Sequence, residues 1–78
     1  MVKVVGKVRV EVAVNTGDSH SLKISNSSGV MRITGFKNNE AVTKLDDLIK
    51  FYSYSVGAKS HVVRALSLVK AELGVING

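Results

Sequence analysis

Asp18, Ser19 and His20 are the acid, nucleophile and base types of a hydrolase triad, and they stand side by side in the chain. A working triad holds its base between the other two groups with all three in line, which consecutive side chains of one turn cannot do. They are expected as polar turn residues. Asp46 and Asp47 are the types of an acid–base pair or a metal site, but adjacent helical residues point about 100° apart. Solvated carboxylates pairing with Lys50 are the expectation. His61 falls beside Arg64 on one helical face, where a lone imidazole near a cation is surface. Gly6, Gly17, Gly29, Gly35, Gly57, Gly74 and Gly78 are spaced too widely for a dinucleotide fingerprint or a P-loop. With no cysteine and two distant histidines, no zinc constellation is available. No catalytic residue, metal, cofactor or small-molecule substrate is therefore expected, and the chain is not read as an enzyme.

The residues that recur with a pattern are basic. Eleven Lys and Arg against six Asp and Glu leave a net charge of +5 over 78 residues, with a sequence pI near 9.8. If the even-numbered residues of the N-terminal run pack inward, alternation sends Lys3, Lys7 and Arg9 to the other face of the sheet, and Lys23 and Arg32 join them against Glu11 alone. Lys37 extends that surface. Several cations on one face are what displacement of condensed counterions from a phosphate backbone requires. An open sheet also shows water a polar face whose ordinary occupants are Lys, Arg and Thr, and the outward positions offer only Phe36 as a stacking platform.

The elements that must position these residues follow from periodicity. Residues 2–14 alternate with valine at nearly every even position, the pattern of a half-buried strand, with Gly6 where a bulge or bend fits. Asn15-Thr16-Gly17-Asp18 supplies turn chemistry. Residues 21–25 and 30–36 alternate again, the latter with Met31 and Ile33 inward and Arg32 and Thr34 outward. From Asn39 the spacing changes to three and four. A helix over 39–56 carries Val42, Leu45, Ile49, Tyr52 and Val56 on one stripe, and one over 60–73 carries Val62, Ala65, Leu66, Val69 and Leu73. Gly57 separates them or bends one long helix; Gly74 ends the second, and Val75-Ile76 packs back or adds a short strand. The fold class is α+β in a single domain over residues 1–78, a three-stranded antiparallel meander followed by two helices on one sheet face.

A chain this short buries only about 60% of its unfolded surface, so self-association is expected to supplement the core. Leu48, Phe51, Val63 and Leu68 lie off the two stripes and Tyr54 is uncommitted, so Phe51, Tyr54, Val63 and Leu68 are the candidate oligomer interface. Charges interrupt every apolar stretch, which argues against a membrane span. No signal-peptide core precedes Lys7 and Arg9, and a cytoplasmic location is expected. The expected function is nucleic-acid binding, DNA or RNA, by a homo-oligomer that contacts phosphates with little sequence discrimination through Lys3, Lys7, Arg9, Lys23, Arg32 and Lys37. The alternative is a protein-interaction or assembly module gripped by the surplus apolar side of the helices.

Overall fold

The valine-rich N-terminal run turns back on itself at Gly6. A computed structural model of the chain describes residues 1–15 and 17–77, with side chains through residue 74. In it, β1 (Val2–Val5) and β2 (Val8–Val14) form a hairpin closed by Gly6 and Lys7, so the single strand expected over 2–14 is two strands. Gly6 adopts φ +59°, a left-handed conformation that costs other residues about 1–2 kcal/mol. Glycine at the first position of a two-residue loop is the preference of the primed turns that match strand twist. β3 (Ser19–Asn26) and β4 (Gly29–Lys37) continue the meander in the order β1-β2-β3-β4, four antiparallel strands rather than three. Of the turn expected over Asn15-Thr16-Gly17-Asp18, Thr16 lies outside the described residues.

The hairpin inverts parity. Lys3 pairs with Val10 and Val5 with Val8, while Val2 pairs with Glu11 and Val4 with Arg9. Partners across an antiparallel pair share a face, so the odd residues of β1 join the even residues of β2 on the core side. Val10, Val12, Leu22, Ile24 and Phe36 form that side. β4 also faces opposite to expectation. Phe36 is its one large side chain that is buried, and alternation carries Thr34 and Arg32 to the helix side with it. Ile33 is paired with Lys23 on the outer face and is 66% exposed.

A 3-10 turn over Asn38–Glu40 leads into α1 (Ala41–Ser55), and the Lys37 N–H donates to the Glu40 carboxylate across it at 3.2 Å. Gly57, at φ +105°, separates α1 from α2 (His61–Asn77), so the helices are distinct. α2 runs past Gly74, which neither stops the helix nor starts a strand. The side chains of Val75 and Ile76 lie outside the described residues.

Both helices cover one sheet face, burying Ala41, Leu45, Leu48 and Tyr52 from α1 and Val62, Val63, Ala65, Leu66, Val69 and Leu73 from α2. The α1 stripe is thus rotated: Leu48 is core, while Val42 and Val56 are exposed. Val63, expected on the surface, is 6% exposed, because α2 sits between α1 and the β1–β2 hairpin and is covered on two sides.

Candidate nucleic-acid interface

The six cations expected on one sheet face are distributed by the hairpin and by β4 over several surfaces. Lys3 lies on the helix side, its Nζ 3.3 Å from Glu72 Oε1 of α2. Arg9 is on the outer face with its Nε 2.8 Å from Glu11 Oε1. Lys23 is on that face too, between Glu11 and Ile33 in register. Arg32 is on the opposite side, its guanidinium 5.2 Å from the centroid of the Phe51 ring. Lys7 occupies the β1–β2 turn, and Lys37 ends β4 next to Ser19, at the other end of the sheet. The outer face therefore carries Arg9, Glu11, Lys23 and, at its far end beside Ser19, Lys37, not a continuous basic surface.

Charge is segregated from end to end instead. The β1–β2 turn meets the start of α2, since a Cβ on Gly6 would collide with the His61 ring. Val5 shares a hollow with Ala58, Val63 and Arg64, which brings the α1–α2 connection to the same end. The β3–β4 hairpin, Asn26 paired with Gly29, turns there as well. Arg32 over Phe51 ties it to the last turns of α1. Residues 5–8, 24–32 and 48–68 contain Lys7, Arg32, Lys50, Lys59 and Arg64 and no Asp or Glu. All five are exposed, and none forms a salt bridge among the described residues.

Arg9, also at this end, is neutralised by Glu11. Elsewhere Lys3, Lys23, Lys37, Lys44 and Lys70 stand against Asp18, Glu40, Asp46, Asp47 and Glu72, with Lys3–Glu72 and Lys70–Asp46 in direct contact. The five cations of this pole equal the net charge of +5, the other six cations being matched in number by the six carboxylates. Alternation of strands carries no information about this grouping. It draws on three separated segments, one of them helical, and the sequence signal is the carboxylate-free run 48–68.

The same pole holds the exposed aromatic rings. Phe51 and Tyr54, three apart on α1 and so on neighbouring positions of one face, are 49% and 84% exposed. Tyr52 and Phe36 are core. Between β4 and α1, Arg32, Thr34, Leu48 and Phe51 line a cleft of about 200 Å³, whose two further charges, Lys44 and Asp47, are of opposite sign.

The expected helical assembly surface is not one patch. Val63 is in the core; Leu68 lies with Val5 beside β1, and Phe51 lies with Arg32 beside β4, the opposite edge of the sheet. Of the three residues expected in a turn, only Asp18 is in one: Ser19 and His20 begin β3, and the His20 ring stacks on Phe36 at 5.3 Å with its Nδ1 3.2 Å from the Asp18 carbonyl oxygen. Among the described residues no three His, Cys, Asp or Glu converge as a metal site, and no helix is long and apolar enough to cross a membrane. No protein family, curated protein or solved structure matches this chain.

Proposed function

We propose that the protein binds nucleic acid through the pole formed by Lys7, Arg32, Lys50, Lys59 and Arg64, gripping phosphates with little discrimination of sequence. The observation that carries this is the gathering of Lys7, Arg32, Lys50, Lys59 and Arg64 toward one end, where the carboxylates are Glu11, held by Arg9, and Asp47, in the cleft beside Arg32. Five exposed cations at one end, Arg32 beside β4 and Lys7 and Arg64 beside β1, none in a salt bridge among the described residues, release counterions together along a strand that spans that end, and the field they sum to guides a polyanion there. α2 also begins there, so the positive end of its macrodipole adds to the field.

Phe51 and Tyr54 make single strands the favoured form. Unstacked bases have open faces to lay on exposed aromatic rings, and duplex bases do not. Arg32, held over one face of Phe51, places a cation directly beside the ring. Of the six cations expected from the sequence, Lys7 and Arg32 belong to this surface, whereas Lys3, Lys23, Lys37 and the Glu11-paired Arg9 do not. The assembly module built on the helices loses support from the burial of Val63 and from the separation of Phe51 and Leu68. In a cytoplasmic homo-oligomer, several poles would share one strand and raise avidity without new contacts.

The test is fluorescence anisotropy of labelled single-stranded and duplex oligonucleotides of unrelated sequence across a salt series. Five phosphate contacts to a single strand predict a log–log slope of about −3.5, similar affinities for unrelated sequences, and weaker binding of duplex. Absence of binding at low salt, or a slope near zero, overturns the proposal.

A further inference from the structure

We infer that the face of the sheet away from the helices is an interface on which a second copy of this chain packs. The helices cover one side only, and the other displays Val2, Val4, Val30, Met31 and Ile33, all exposed. Five large apolar side chains on one sheet face exceed the scattered exposure that monomers ordinarily show.

The register argues for a second copy as the occupant. Cross-strand partners give one row as Val2, Glu11, Lys23 and Ile33, and the next as Val4, Arg9, Ser25 and Val30. Each row is apolar at both edge strands and polar in the middle. A two-fold axis along the strands sets β1 of one copy over β4 of the other, so Val2 meets Ile33 and Glu11 meets Lys23. A two-fold axis across the strands sets Val2 over Val4, Ile33 over Val30, and Glu11 over Arg9. Under either in-plane axis the apolar edges cover each other and Glu11 faces a cation of the second copy. This is the self-complementarity an isologous interface requires.

Size agrees with this. Strands of about seven residues at ~3.3 Å, four abreast at ~4.8 Å, give a flat footprint of roughly 440 Å², or about 900 Å² over two copies before side-chain relief is added. That is near the 1,000–1,200 Å² at which specific interfaces begin. Glu11 sits between Arg9 and Lys23 and Lys37 lies apart at the far end, so the face gathers no cluster of free cations, and this inference stands apart from the proposed nucleic-acid surface.

The experiment is size-exclusion chromatography with light scattering on the full chain, from low to high micromolar concentration. The wild type is expected at twice its 8.3 kDa. Ile33→Glu and, separately, Val4→Glu should each halve the mass while far-UV circular dichroism stays unchanged, since both side chains are exposed in the single chain. Leu68→Glu, on the helix side, should leave the dimer intact. A wild type that stays at 8.3 kDa throughout overturns the inference. So does a dimer that survives Ile33→Glu and Val4→Glu in folded protein, and dissociation by Leu68→Glu alone would assign the contact to the helices instead.

Discussion

Reversing Lys59 and Arg64 to Glu tests the basic pole where the fold is least involved. Both side chains are exposed and outside every salt bridge among the described residues, one in the α1–α2 connection and one in the first turn of α2. Each phosphate contact to a single strand contributes about 0.7 decade of affinity per tenfold dilution of salt. Losing one contact therefore removes about fivefold of the gain between 1 M and 0.1 M salt, and losing two about 25-fold. Repulsion from the introduced carboxylates adds to this. The log–log slope should flatten by about 0.7 for Lys59→Glu and by about 1.4 for the double variant.

Location is separated from total charge by Lys37→Glu. It and Lys59→Glu each exchange one positive charge for a negative one, taking the chain from +5 to +3, but Lys37 lies at the opposite end of the sheet. The assay is anisotropy of one labelled oligonucleotide over a salt series, with circular dichroism as the folding control. If Lys37→Glu weakens binding as much as Lys59→Glu, or if the double variant keeps the wild-type slope, the pole is not the binding surface.

Three further outcomes follow from particular residues. Phe51→Ala and Tyr54→Ala should each cost single-strand binding about 1–3 kcal/mol, the range for loss of one base–aromatic stack; duplex binding, measured in parallel, should be unaffected. Leu66→Ala removes a fully buried side chain at the centre of the core and should destabilise by about 2–5 kcal/mol in urea unfolding, a large fraction of what a chain of this size holds. Gly6→Ala places a Cβ against the His61 ring and at positive φ, so a loss of about 1–2 kcal/mol is expected in the same assay. An unchanged midpoint would mean the hairpin turn relaxes to another geometry.

Local pattern determined the class of this fold. Period two in the N-terminal half and spacings of three and four after Lys37 specify strands and then helices, because side-chain direction repeats with backbone geometry within each element. The turn residues before β4 were legible for the same reason, whereas Gly57 left two helices and one bent helix equally open. The total charge of the chain needed no structure either.

Tertiary structure decided what local pattern left degenerate. Valine at Val2, Val4, Val8 and Val10 alternates equally well through a straight strand and through a two-residue turn, but the turn exchanges the faces. Lys3 thereby goes to the helices and to Glu72, and Val2 and Val4 go to the outer face. In β4 both parities carry apolar residues, and burial of Phe36 chose the one that exposes Ile33. The two helical stripes competed in the same way, and the covering of α2 on two sides took Val63 into the core. The basic pole arises only when the β1–β2 turn, the β3–β4 hairpin and the α1–α2 connection come to one end of the domain. Summing charges from distant segments depends on which ends the chain folds together, and no window of sequence contains that distance.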